Sequence, residues 1–469
     1  MVFSSIVFLF TFLPITLILY YISPRKMKNI VLLLISLIFY AWGEPVYVFL
    51  MMFTTVFDYL IGLLINKYNR RNKIKSKRIF IFAVLVNLGI LGFFKYYGFL
   101  IENINSVFSL NIGYNQLPLP IGISFYTFQT LSYVIDVYLD KVKVQKSLIS
   151  FGLYVTMFPQ LVAGPIVRYT DIDYQLKHRT HSMNKFGEGV DRFIQGLSKK
   201  VLLANNIGMI FTSIQQYDAS EISVLTAWLA IAAYTLQLYF DFSGYSDMAI
   251  GLGKMLGFDF IENFNYPYIS KSVTEFWRRW HISLGSWFRE YVYIPLGGNR
   301  CSTIFQLRNL CIVWFLTGLW HGADWNFILW GLYYGLILII EKFLLKDILE
   351  RMPSVIQHIY TMVLVMIGWT FFGIESIQKS LEYIKVMFFL NGNKIIDSTF
   401  IYYLHTNLIL LIILILCSTP IVNKVFKKII KNGKMEGVTL AVIVQFVLLF
   451  LSIAYLVNET YNPFLYFRF

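Results

Sequence analysis

The stretch that most constrains this chain is the apolar run from Leu310 to Ile340, interrupted near its middle by Trp320-His-Gly-Ala-Asp324. As a single helix, its roughly 31 residues at ~1.5 Å each would reach about 47 Å, well beyond a ~30 Å hydrocarbon core. Two shorter helices meeting at a break within the membrane account for both the length and the interruption. An ionisable side chain at such a depth is costly and points to function. His321 is therefore the first candidate site residue. The competing reading is a hydrogen-bonded histidine that only ties helices together.

Composition agrees with a membrane setting. Of 469 residues, 57% are hydrophobic and only 14% charged, whereas a soluble chain of this length carries close to twice that charge. The net charge of +14 does not call for a nucleic-acid partner, because the cations gather in short segments between apolar spans, as positive-inside topology requires. Cys301, Cys311 and Cys417 show no pairing pattern and no metal-ligand spacing, so neither a disulfide framework nor a metal site is expected. Phe3 to Ile22 is long enough to span and is followed by Pro24-Arg-Lys-Met-Lys28. It reads as a first transmembrane helix with its amino terminus outside, not as a cleaved signal peptide.

Along the chain, Asn29–Trp42 and Pro45–Ile65 form a helix pair around a Gly43-Glu-Pro turn. Lys67 to Arg78, with seven Lys or Arg among twelve residues, is expected to be a solvated cytoplasmic loop. Ile79–Leu100 spans outward. Leu117-Pro-Leu-Pro-Ile-Gly122 then argues against a regular span up to Tyr138 and for a re-entrant or broken helix. Leu148–Val167 carries Phe158-Pro159 and Gly164-Pro165, and both of its flanks are basic, so one of these two stretches is expected not to cross. His178 and His181 fall in a polar segment and read as surface residues; His358 and His405 read as interfacial packing.

Tyr239-Phe-Asp-Phe-Ser-Gly-Tyr-Ser-Asp247 sets two carboxylates beside membrane helices. Either Ser243 or Asp241 caps a helix that continues to Leu256, or Asp247 lines a wet cavity. In Ser270–Tyr293, Val273, Phe276, Trp277, Trp280, Leu284, Trp287, Phe288 and Tyr291 share one helical face. Arg278, Arg279 and Arg289 lie opposite, as in an amphipathic helix lying in the cytoplasmic interface, with His281 at the edge of its apolar stripe. Val355–Gly373, Phe400–Leu416 and Val438–Val457 are spans, and Lys424, Lys427, Lys428, Lys431 and Lys434 mark another cytoplasmic loop. The expected fold is all-α: one polytopic domain over residues 1–469, with about ten transmembrane helices, broken or re-entrant helices and an interfacial helix around a central cavity.

Several of these pieces carry a resemblance. Pro120-Ile-Gly-Ile-Ser-Phe-Tyr-Thr-Phe-Gln129, Leu161-Val-Ala-Gly-Pro-Ile-Val-Arg168, Tyr239 to Gly251, Asn263-Phe-Asn-Tyr-Pro-Tyr268, Thr274 to Leu284, Tyr293-Ile-Pro-Leu-Gly-Gly-Asn-Arg300, Gly318-Leu-Trp-His-Gly-Ala323 and Pro463 to Phe469 occur in this order. Together they resemble the membrane-bound O-acyltransferases, and within them the bacterial alginate O-acetyltransferase branch. Thr317 and Cys301-Ser-Thr303 depart from that branch. The resemblance implies two active-centre histidines, His321 and His281. The Gly-Gly-Asn-Arg motif favours acetyl over the D-alanyl cargo of the teichoic-acid branch.

The expected mechanism makes His321 the base that takes a hydroxyl proton as the oxygen attacks an acyl carbonyl. His281 orients the acyl group, stabilises the oxyanion or assists proton movement. Asp247 or Asp324 fixes a histidine tautomer, and Ser243, Trp280, Trp320, Arg278 and Arg279 complete a substrate channel. No bound cofactor is expected; the donor is acetyl-CoA or an acylated carrier. The expected partners are that donor, an exported polysaccharide acetyltransferase and the lipid bilayer of the bacterial inner membrane. Peptidoglycan or teichoic acid are alternative acceptors. The rival of another class is a transporter that moves acyl groups without chemistry.

Overall fold

The computed structural model describes residues 1–458 apart from 116, 163 and 433; the Pro463–Phe469 motif lies outside the described residues. Every regular element among them is helical. The chain divides into two compact units, one of residues 1–193 and 248–261, the other of residues 194–247 and 262–469.

In the first unit, α1 (Leu13–Ile22), α2 (Lys28–Gly43), α3 (Tyr47–Asn69) and α4 (Lys73–Phe108) precede a buried helix, α5 (Ile123–Tyr138). The basic stretch from Lys67 to Arg78 is not a loop. The chain turns at Arg70–Asn72, and the Asn72 side chain caps α4 by accepting from the Lys75 N–H. Helix α5 has nearly all its residues buried and starts at Gly122, whose φ of +75° and 2.7 Å clearance from the Leu161 carbonyl oxygen to an added Cβ both require glycine. Its Thr130 donates to Asn87, which donates to Asp58, a buried polar chain within the unit.

Helix α6 (Leu148–Thr156) stops before Phe158-Pro159, where the four-residue α7 (Phe158–Leu161) begins. Nine residues at ~1.5 Å each are too few to cross ~30 Å. After α8 (Tyr169–His178), His181 departs from the surface role expected of it. The Tyr20 hydroxyl donates to the Leu256 carbonyl (2.6 Å) and accepts from Arg179 Nε (2.7 Å), with His181 Nε2 at 2.9 Å. His178 is exposed, as expected.

The second unit begins within α9 (Met183–Ser198), which runs through a π-helical turn at Lys199–Ala204 into α10 (Asn205–Ile214). Helix α11 (Val224–Met255) follows without interruption, so neither Ser243 nor Asp241 caps a helix there; its last residues, from Met248, belong to the first unit. Next come α12 (Val273–Arg279), α13 (Ile282–Phe288), α14 (Thr303–His321), α15 (Trp325–Ile340), α16 (Lys346–Arg351) and α17 (Ser354–Gly373). The chain ends with α18 (Ile377–Met387), α19 (Ser398–Cys417), α20 (Ile421–Asn432) and α21 (Lys434–Asn458). The stretch read as a basic loop from Lys424 is thus helical.

Seven described helices are long and apolar enough to cross a membrane: Tyr47–Asn69, Lys73–Phe108, Val224–Met255, Trp325–Arg351, Ser354–Gly373, Ser398–Cys417 and Glu436–Asn458. Phe8–Ile22 and Lys28–Gly43 are shorter apolar helices. The protein is a multi-pass membrane protein.

Candidate active site

The break in the long apolar run is where the sequence puts it. Helix α14 ends at His321 and α15 starts at Trp325. The two pack as a hairpin at glycine distance: a Cβ on Gly318 would lie 2.4 Å from the Phe327 carbonyl oxygen, and one on Gly331 would lie 2.3 Å from that of Trp314. Asp324 does not reach a histidine. It is exposed, and its carboxylate caps α15 by accepting from the Asn326 N–H at 2.9 Å.

The expected amphipathic helix over Ser270–Tyr293 is broken in two. Trp280 is extended, and His281 takes the left-handed conformation, with φ +45° and ψ +54°. Such a backbone costs a non-glycine residue about 1–3 kcal/mol and persists only where its surroundings enforce it. Here the enforcement comes from the Asn263–Asn265 segment. Its Asn265 N–H donates to the Arg279 carbonyl, and the Ile282 N–H donates back to the Asn263 carbonyl, both at 2.9 Å. These bonds bracket His281 and turn its side chain inward, where it is only 2% exposed.

The start of α12 is equally fixed. Buried Glu341 accepts from the Val273 N–H (2.7 Å), the Thr274 N–H (2.8 Å) and the Thr274 hydroxyl (2.6 Å). The apolar face of α12 then enters an aromatic interior instead of lipid: Trp277 packs on Trp314 and Tyr334, and Trp280 on Trp369.

The geometry fixes the protonation of His281. Its Nδ1 is 3.2 Å from Asn263 Oδ1. The same oxygen accepts from the Ser283 backbone N–H (3.2 Å) and the Ser283 hydroxyl (2.9 Å). An N–H can point only at the oxygen end of the amide, so Asn263 is oriented, and His281 Nδ1 must be the protonated nitrogen. Nε2 is left with a buried lone pair and no hydrogen-bond partner among the described residues. Burial also pushes the His281 pKa down, to about 3, and keeps the ring neutral.

Trp320 lies beside both histidines, its ring centre 6.0 Å from that of His281 and 5.1 Å from that of His321. His321 is 7% exposed and is walled by Trp330 (4.9 Å) and Phe372 (5.3 Å). From α11, Phe242 closes edge-on over His281 at 4.7 Å. Ser243 and Asp247 are buried on the same helix, the Ser243 hydroxyl without a partner among the described residues. Asp247 is committed to an ion pair with Lys199 (2.6 Å), so it does not fix the His281 tautomer.

Of the two arginines, Arg279 pairs with Glu275 at 2.8 Å. Arg278 lines a cavity of about 750 Å³ that His281 and His321 do not border. The residue missed from sequence is Asn263. Its signal was available, because it opens the Asn-Phe-Asn-Tyr-Pro-Tyr motif, but nothing in the spacing links it to a histidine eighteen residues later.

An all-helical multi-pass fold with two buried histidines about one tryptophan suits acyl transfer within a membrane, and the comparisons agree. Residues 140–374 match MBOAT, the membrane-bound O-acyltransferase family. The chain belongs to that family and is an O-acyltransferase. It is 46% identical over 393 residues to the probable alginate O-acetylase of Azotobacter vinelandii, covering 83% of this chain and 78% of that relative. The probable alginate O-acetylase of Pseudomonas aeruginosa is also 46% identical over 393 residues, covering 83% and 75%. The peptidoglycan O-acetyltransferase of Helicobacter pylori is 34% identical over 428 residues, covering 84% and 80%.

Proposed function

We propose that this enzyme takes acetyl from a cytoplasmic thioester, acetyl-CoA or an acylated carrier, and passes it across the bacterial inner membrane for O-acetylation of an extracellular alginate-like polysaccharide. A separate exported acetyltransferase completes delivery to the polymer. The likeness to probable alginate O-acetylases at 46% identity supports the polymer; the Helicobacter relative supports peptidoglycan as the second reading.

The observation that carries the catalytic assignment is the fixed tautomer of buried His281, which shares the Trp320 ring as a neighbour with buried His321. In the proposed step, His321 takes the acceptor hydroxyl proton while that oxygen bonds to the thioester carbonyl carbon. The C–S bond then breaks, and the proton passes to the departing thiolate. With Nδ1–H committed to Asn263, His281 presents a lone pair at Nε2, which accepts a hydrogen bond but cannot donate one to an oxyanion. Of the three roles expected for it, proton movement fits this tautomer. Trp320, Trp330 and Phe372 exclude water, which favours transfer over hydrolysis of the donor.

The test is His321→Ala in purified protein supplied with labelled acetyl donor and acceptor. Loss of covalent transfer with membrane insertion intact supports the assignment; unchanged transfer overturns it. Label that crosses a vesicle membrane without any covalent product would favour the transporter instead.

A further inference from the structure

The cavity beside α12 is lined by four cations, Lys271, Arg278, Lys342 and Lys346. Among the described residues none of them has a carboxylate within ion-pairing distance. Lys271 donates to the Ser354 hydroxyl at 2.9 Å, and Lys342 to the Asn299 and Gln306 amide oxygens at 2.7 Å each, all neutral acceptors. Arg278 and Lys346 are exposed at its edge. The two acidic residues in the lining offset only part of this charge, and neither pairs directly with a cation among the described residues: the Glu341 carboxylate accepts from the start of α12, and Glu350 is exposed. The neighbouring Arg279, by contrast, pairs with Glu275. Concentrated positive charge left unpaired around about 750 Å³, a volume in the ligand-pocket range, is the electrostatic signature of an anion site.

We infer that this cavity binds a phosphate-bearing anion at the cytoplasmic membrane surface. An arginine and lysines held by neutral oxygens suit a phosphate, which can take bidentate and point-charge contacts together. Ser272, Thr274, Tyr293, Asn299 and Gln357 add neutral polar groups to the lining, and its apolar part comes from Leu310, Leu338 and Leu349. It adjoins the exposed Leu344 and Ile348, so the site is amphiphilic, like a phospholipid head group with its chains alongside. Two sources share this chemistry, an acidic phospholipid and the phosphates of a soluble donor. The inference stands on the cavity and is independent of the roles given to the histidines.

The test uses full-length protein in nanodiscs, comparing wild type with Arg278→Gln, Lys342→Gln and the exposed Lys346→Gln, and with Lys379→Gln outside the cavity as control. Phosphatidylglycerol retained from mixed discs is read by native mass spectrometry. In phosphatidylcholine-only discs, stabilisation by coenzyme A and by inorganic pyrophosphate is read as a thermal shift. A loss of phosphatidylglycerol retention of about 5-fold per cation removed, absent in the control, supports a lipid head group. A coenzyme A or pyrophosphate shift lost in the cavity variants supports the soluble source. If neither signal differs between the cavity variants and the control, there is no anion site. Because these readouts are binding, acetyl transfer can fail or persist independently.

Discussion

Asn263 Oδ1 stands 3.2 Å from His281 Nδ1 and is aimed there by the Ser283 backbone N–H. One side-chain amide thus decides which nitrogen of a buried histidine presents its lone pair. Partners that orient a metal-bound histidine are worth about 10- to 100-fold in activity, and the same order is expected for this orienting bond. Asn263→Ala should lower kcat by that factor with little change in protein yield. Asn263→Asp, which keeps an acceptor and adds a negative charge, should retain more activity and move the acid limb of the pH–rate profile upward. A profile identical to wild type in Asn263→Asp would show that His281 does not titrate under control of this residue.

Glu341 holds the opposite end of α12 through three charge-assisted hydrogen bonds. Glu341→Ala strands two backbone N–H groups and should destabilise the protein by about 3 kcal/mol. Glu341→Gln, with one strong acceptor left, should lose less. Thermal unfolding of the detergent-solubilised variants measures both, and equal midpoints for alanine and wild type would refute the anchor.

Lys200 and Asp241 form an ion pair at 2.7 Å with side chains 3% and 4% exposed. Removing either partner leaves a buried charge and should cost about 3–5 kcal/mol. The double variant Lys200→Met/Asp241→Leu should recover much of that loss, because desolvation of both ions disappears with them. Strictly additive losses in the double variant would contradict this reading.

The pH dependence of stability follows from His281. Its folded pKa, about 3, is depressed below the unfolded value of ~6.5. The unfolded chain therefore binds the proton first as pH falls, and the stability this neutral histidine contributes is complete above about pH 6.5 and lost toward pH 3. Between pH 7.5 and 5 the loss should be about 2 kcal/mol at ~1.4 kcal/mol per unit. His281→Gln should show a shallower decline over that window; an unchanged slope would mean that the ring does not stay neutral.

The helical, membrane-embedded character of the chain and the break at Trp320–Asp324 were determined by the sequence itself. Apolar length, a polar interruption and the placement of lysines and arginines are local properties, and the bilayer admits few folds that satisfy them. The interfacial stretch was legible only in part. Its apolar face is correctly patterned, but periodicity reports which side is buried, not whether partners will bend the backbone.

Tertiary structure decided the rest. His281 takes its left-handed backbone because the Asn263–Asn265 segment brackets it with two hydrogen bonds, and it takes its tautomer from Asn263 rather than from Asp247 or Asp324. Those carboxylates are already spent on Lys199 and on the cap of α15. The physical reason is that hydrophobic burial is roughly additive and readable along the chain. A hydrogen bond depends on a few tenths of an ångström between residues far apart in it, and which buried polar atoms meet is known only once the helices have packed.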